Sequence, residues 1–288
     1  MDAPPSPNSE FIDVWNQILV PKFLRFRSIV IGNLGAHGEV ALRKHPAQPG
    51  ERVLDVGCGF GDSSLELARM VGPGGSVLGI DGAEGFIELA RKEAAAAGAD
   101  NLRFELADAQ TFAFEPAFNL CFSRFGTMFF QAPVAAMRNL GRALVPGGRL
   151  LMVVWRALDE NAWVALPKRV VSKHLPPPPD DGRSCGPGPF SMADRDTVTD
   201  ILRAAGFGAI EFERVDLDVS VGDGVREAIE FQMQLGPAGE IVREAGEQAE
   251  AKRALIEAEL QAALAPYMTE RGVVLGSSSW TVTARKLA

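Results

Sequence analysis

A chain of 288 residues that is 47% hydrophobic can bury a sizeable core, and its length suits one elaborated α/β domain. Its 29 basic residues stand against 37 acidic ones, a net charge of −8, and no run of Lys and Arg is dense enough to follow a phosphate backbone. Nucleic acid is therefore not expected as a partner, and no apolar span approaches the roughly 18 residues that a membrane helix needs.

The opening "MDAPPSPNSE" lacks the basic and apolar regions of a secretory signal, so a cytoplasmic protein is expected, with residues 1–10 a disordered tail. Over 11–45, Phe11, Val14, Trp15, Ile18 and Leu19 fall near helical spacing, Pro21 interrupts, and "FLRFRSIVIGNLGAHGEVALRK" resumes the pattern. This segment reads as a helical lid packed ahead of a sheet.

An alternation then sets in over 50–156. "RVLDVG" at 52–57, "SVLGID" at 76–81, "NLRFELAD" at 101–108, "FNLCFSR" at 118–124 and "GRLLMVVW" at 148–155 read as strands. Helices at 63–71, 83–98 and 134–144 separate most of them. Strands joined by single helices imply right-handed crossovers and a doubly wound, mostly parallel α/β sheet covered on both faces.

The rest departs from that rhythm. A helix at 163–174 leads into a Pro/Gly-rich loop at 175–191, then a helix at 195–205, a strand at 209–219, a helical insertion at 224–270 and a last strand at 278–287. A single domain from residue 11 onward is expected. The cysteines Cys58, Cys121 and Cys185 are far apart, without a CxxC pair or a nearby histidine, and predict neither a disulfide framework nor a metal site.

In an open parallel sheet, ligands bind beyond the carboxyl ends of the strands. Gly57, Gly59 and Gly61 follow the first strand, where the backbone can turn sharply and a ligand can approach without meeting a Cβ. Asp81 ends the second strand, where a carboxylate can accept from both hydroxyls of a ribose. Asp108 and Ala109 follow the third, placed to meet an adenine. A dinucleotide fingerprint would carry a third glycine where this chain has Asp62, an acid that would repel a pyrophosphate but suits the cationic amine and sulfonium of S-adenosylmethionine.

"VLDVGCGFGDSS", "GIDGAE", "ADAQ" and "LVPGGRLLMVVW" together resemble the class I S-adenosylmethionine-dependent methyltransferases, in particular the group similar to the ubiquinone/menaquinone-biosynthesis C-methyltransferases. The resemblance covers Arg52 to about Trp155. It implies a seven-stranded sheet with its last strand antiparallel, and a Rossmann-like methyltransferase fold. It also implies that Asp55, Gly57 and Gly59 bound the methionine moiety, Asp81 and Gly82 the ribose, Asp108 and Ala109 the adenine, and that Ser123 and Arg124 line the floor. "FNLCFSRFG" lacks the family's asparagine-proline-proline-aromatic signature of amine methylation, and the insertion at 224–270 has no place in the minimal fold.

The expected reaction is methyl transfer from S-adenosylmethionine to carbon or oxygen of a small, largely apolar acceptor. An NAD-dependent oxidoreductase and a non-catalytic S-adenosylmethionine-binding regulator are the alternatives. His37 and His174 are the candidate general bases, each otherwise a surface or capping histidine. Tyr267 and Arg156 are further candidates for the acceptor side. Phe122, Phe125, Met128, Phe129, Phe130 and Trp155 are expected to form core and to spare one or two walls for an acceptor pocket, with Trp15 and Phe26 closing over the cofactor. A homodimer is possible on the general frequency of such assemblies.

Overall fold

The structure is a computed structural model that describes residues 9–176 and 188–287. Its centre is a sheet ordered β3-β2-β1-β4-β5-β8-β6, built from β1 (Arg52–Val56), β2 (Ser76–Asp81), β3 (Leu102–Leu106), β4 (Phe118–Arg124), β5 (Leu144–Trp155), β6 (Phe207–Ser220) and β8 (Gly272–Lys286). β1 lies between β2 and β4, with Val53 opposite both Val77 and Leu120, so the chain order reverses there. A short β7 (Met268–Thr269) folds back onto β8.

The first five strands are parallel, and β8 runs antiparallel to both β5 and β6. The crossover helices α4 (Asp62–Val71), α5 (Glu84–Ala96) and α6 (Pro133–Ala143) carry apolar stripes that cover the sheet, while α8 (Arg195–Ala204) follows the inter-strand loop. The central strands are buried on both faces: Val53, Leu54, Leu120, Cys121, Phe122, Met152 and Val153 are fully inaccessible. Continuous apolar runs in the middle strands are what a sheet covered on both sides requires.

The helices ahead of the sheet are α1 (Ser9–Val14), a π-helical turn at Trp15–Leu19, α2 (Val20–Arg25) and α3 (Arg27–Lys44). Residues 9 and 10, expected to belong to a disordered tail, are part of α1, and residues 1–8 lie outside the described residues. Pro21 comes just after the π-helical turn, in the first turn of α2, and the run stays helical through it, so the proline does not end the helix.

Strand edges shift for local reasons. β3 stops at Leu106 because the Asp108 carboxylate accepts from the Gln110 N–H and turns the chain. β8 starts at Gly272, earlier than expected, because β7 pairs with it. The insertion is three helices, α9 (Val225–Gln234), α10 (Gly236–Ala245) and α11 (Glu247–Leu264), broken at Gly236 and Gly246, both with positive φ. α7 (Ala162–Val171) packs against α10 and α11. Of the Pro/Gly loop, 177–187 lie outside the described residues, and so does Cys185; Cys58 and Cys121 are buried free thiols.

Among the described residues no helix is long and apolar enough to cross a membrane, and no group of three His, Cys, Asp or Glu side chains could hold a metal.

Candidate functional site

The glycine turn after β1 is built from left-handed residues, with φ of 67° at Gly57, 53° at Gly59 and 81° at Gly61. Gly57 and Gly59 need glycine for different reasons. A Cβ on Gly57 would stand 2.9 Å from the Gly126 Cα, so that glycine lets β1 and the turn after β4 touch. A Cβ on Gly59 would meet nothing within 4 Å among the described residues, so its bare face borders open space.

Asp81 binds the turn to the end of β2. One carboxylate oxygen accepts from the Gly59 N–H at 3.0 Å and the other from the Ala83 N–H at 2.9 Å, while burial pushes its pKa up. Gly82 follows, and the Ile12 side chain of α1 lies 3.0 Å from where a Gly82 Cβ would stand. Asn16 accepts from the Glu84 N–H, and Trp15 packs edge-on against Phe86 and Phe129. The N-terminal helices thus cover the β2–α5 turn.

After β3, Asp108 closes its turn on Gln110, and the buried Ala109 accepts from Asn139 through its carbonyl. The Gln110 Oε1 accepts from the Ala132 N–H, whereas its buried Nε2 has no hydrogen-bond partner among the described residues. The ends of β1, β2 and β3 therefore present, side by side, an open glycine, a carboxylate and an unpaired amide donor.

Residues 47–175 match the family described as "Methyltransferase domain". A 102-residue stretch is 41% identical to aklanonic acid methyltransferase of Streptomyces sp. (strain C5), over 35% of this chain and 46% of that protein. A 177-residue stretch is 28% identical to the ubiquinone/menaquinone biosynthesis C-methyltransferase of Azotobacter vinelandii, over 58% of this chain and 69% of that one. The chain thus spans less than half of the first relative's length and about two thirds of the second's. The chain carries a class I, S-adenosylmethionine-dependent methyltransferase domain. In fold it is similar to phosphoethanolamine N-methyltransferase 2 of Haemonchus contortus, with a TM-score of 0.59 at 17% identity over 96% of this chain and 60% of that one.

Several polar residues of the methyltransferase domain have partners that the sequence does not reveal. Asp55 is 1% exposed and accepts from the Ser64 hydroxyl at 2.5 Å, and burial raises its pKa to about 7. Ser123 is fully buried and donates to the Val56 carbonyl at 2.7 Å, joining β4 to β1 rather than presenting its hydroxyl to a floor. Asp62 accepts two hydrogen bonds from Arg124, at 2.7 and 3.0 Å. Burial raises the Asp62 pKa, but the guanidinium outweighs it and holds the carboxyl below its usual range. The expectation that Asp62 offers its charge to a cationic ligand is corrected here, because Arg124 already balances that charge.

The two candidate histidines have different surroundings. His37, on α3, is fully buried with its ring edge-on to Trp155 and Phe125, centroids 5.1 and 5.9 Å away. Its Nε2 lies 2.8 Å from the Ser277 hydroxyl and its Nδ1 2.8 Å from that of Ser279. Ser277 spends its one proton on the Leu217 carbonyl, so Nε2 must carry the ring proton and Nδ1 accepts from Ser279. Burial lowers the His37 pKa to about 4 and keeps the ring neutral. It is neither a surface nor a capping residue. His174 sits 3.0 Å from Glu259, and its carbonyl accepts from Lys252, so it belongs to the seam between the end of α7 and α11.

Tyr267 is 40% exposed beyond α11. Arg156 is buried against Glu160 and Ser278 and lies over the Trp280 ring at 4.5 Å. Phe122, Phe125, Met128, Phe130 and Trp155 are all buried, and Phe129 is partly so. Phe125 takes a φ of 59° to stack on Trp155 with centroids 3.9 Å apart. Left-handed phenylalanine is costly, and here it occurs at the mouth of the sheet.

Proposed function

We propose that this chain transfers a methyl group from S-adenosylmethionine to carbon or oxygen of a small, largely apolar acceptor in the cytoplasm. The observation that carries the reading is the Gly59 N–H held on the Asp81 carboxylate, which joins the glycine turn and the second strand end into one cradle. In this reading Asp81 and Gly82 hold the ribose, Asp108, Ala109 and Gln110 the adenine, and Gly57 and Gly59 flank the methionine portion. Asp55, Ser123 and Arg124 hold the cradle's shape through Ser64, Val56 and Asp62. The open side of Gly59 and the unpaired Gln110 amide suit an adenosine ligand.

When bound, the cofactor supplies an electrophilic methyl group on a good leaving group. The protein's part is to align the acceptor and exclude water, an effect worth up to about 7–11 kcal/mol. The N-terminal helices that cover Gly82 serve that exclusion. His37, with a pKa of about 4, takes a proton poorly at neutral pH, and its two serine bonds suit a positioning role. An acceptor that reacts at carbon, or through a hydroxyl already acidic, fits such a site. His174 in this reading belongs to the helical cover.

The names of the relatives support a small acceptor: one acts on aklanonic acid, and another is a C-methyltransferase of ubiquinone/menaquinone biosynthesis. Calorimetric titration with S-adenosylhomocysteine and NAD, followed by turnover of methyl-labelled donor over a panel of quinols, phenols and polyketides, tests the proposal. Saturable binding of S-adenosylhomocysteine with labelling of at least one acceptor is expected. Binding of NAD alone, or no labelled product across the panel, would sink it.

A further inference from the structure

Two glycines of α3 would each carry a Cβ into open space, with no atom of the described residues within 4 Å, and they differ in what that space is. Gly32 is exposed, so the space beside it is solvent. Gly35 is buried, so the space beside it is enclosed. Protein interiors are close-packed, and a void at a buried position forfeits the contacts that a side chain would make. Alanine is also the better helix former. Neither packing nor helix propensity therefore accounts for a glycine at position 35.

Contacts of α3 on either side of Gly35 say what the space borders. Three residues on, and so on the neighbouring turn of the same side, a Cβ on Gly38 would stand 2.8 Å from the Arg124 Cδ, and Arg124 pairs with Asp62 at the start of α4. Toward the start of α3, the Arg27 guanidinium lies over the Phe60 ring at 5.6 Å, and its charge helps to hold the Asp62 carboxyl below its usual range. Phe60 and Asp62 flank Gly61, the last glycine of the turn after β1. α3 thus spans the glycine turn on two long arginine side chains, Arg27 reaching from it and Arg124 reaching to it, and Gly35 lies between those supports. In the turn itself, Gly59 also presents a bare face to open space.

We propose that Gly35 is a further cofactor-binding residue, and that the enclosed space beside it receives the amino-acid end of S-adenosylmethionine between α3 and the glycine turn. The charges around that space suit such a guest. Asp62 is balanced by Arg124, and Arg27 is paired with Glu93, so both signs border the space and neither is in excess. An ammonium and a carboxylate on one carbon fit that surround better than a lone ion does. Gly35 contributes room alone, which leaves the guest's charges to the side chains around it. The inference rests on reading the chain as a methyltransferase, and it adds a wall of α3 to a cradle otherwise built from strand ends.

Calorimetry of the full chain with two ligands tests it: S-adenosylhomocysteine, which has the amino-acid end, and 5′-methylthioadenosine, which lacks it. Gly35→Leu should lose about tenfold or more in affinity for S-adenosylhomocysteine, while 5′-methylthioadenosine stays within about twofold of wild type. Gly35→Ala should lose about fivefold for S-adenosylhomocysteine and, having filled open space with a better helix former, melt about 1–3 °C higher. Gly32→Ala should melt higher by a similar amount and keep both affinities. A Gly35→Leu protein that binds S-adenosylhomocysteine like wild type would overturn the inference, as would equal losses for the two ligands, and Gly35→Ala decides the matter if the leucine variant does not fold. Wild type that binds neither ligand removes the methyltransferase reading as well, whereas wild-type binding with unaffected variants removes this inference alone.

Discussion

Arg124 closes on Asp62 across the mouth of the sheet, donating two hydrogen bonds of 2.7 and 3.0 Å from the end of β4 to the first residue of α4. Both side chains are mostly buried, at 13% and 25% exposure, so the pair is screened little by solvent. Arg124→Leu should cost about 3 kcal/mol at pH 7, because it strands a buried carboxylate, and the double variant with Asp62→Asn should recover a good part of the loss. Urea midpoints of the four proteins give the coupling. An additive result would show that the two side chains do not act as a pair.

Asp81 anchors both the glycine turn and the start of α5. Asp81→Ala should weaken S-adenosylhomocysteine binding by about 1–3 kcal/mol, the range for leaving hydrogen-bonding partners unpaired, measured by calorimetry. Unchanged affinity would show that the ribose lies elsewhere.

Gly57 and Gly59 should separate stability from binding. Gly57→Ala pushes a methyl group to 2.9 Å from the Gly126 backbone and should destabilise the fold by more than about 2 kcal/mol. Gly59→Ala meets only the left-handed backbone penalty, about 1–2 kcal/mol, and should still fold while losing most of its cofactor affinity. Thermal melts and ligand titration of both variants check this; equal loss of stability would mean that Gly59 is structural.

Two buried groups pull stability in opposite directions with pH. The folded-state pKa of His37 is about 4 against 6.5 unfolded, so the unfolded chain binds the extra proton and stability falls as pH drops from 6.5 to 4. Asp55 has a folded pKa of about 7 against 3.8 unfolded, so the folded chain holds the extra proton and stability falls as pH rises from 4 to 7. The wild type should therefore show a shallow profile over this range. Asp55→Asn should expose the His37 slope, and His37→Gln the Asp55 slope, each on the order of 3 kcal/mol across its window. Denaturant midpoints at pH 4.5 and 7 would contradict this if both variants keep the wild-type profile.

The strand–helix alternation and the glycine turn were legible because they are local: apolar runs, helix spacing and residues that demand positive φ are written in consecutive positions. Asp81 was legible for the same reason, as an acid where an apolar strand ends. The Val56 partner of Ser123 was not legible, because a strand covered on both faces gives no sign of which neighbour its hydroxyl will meet. The Arg124 partner of Asp62 lies 62 residues away, and Ser277 lies 240 residues from His37, distances over which spacing carries no information.

The helices that cover the cradle are tied to the far end of the chain. Lys22 donates to the Gln234 carbonyl, Arg25 pairs with Glu230, and Phe26 meets Phe231, across about 205 residues of sequence. These helices add no strand to the sheet, so they can leave and return without breaking a single inter-strand bond. On the ribosome they are made early, and their partners come in two stages: Gly82, Glu84, Phe86 and Phe129 first, and α9 only about a hundred residues later. Their docking is therefore finished in two steps well apart in the chain, and it is held by side chains with no strand pairing of its own.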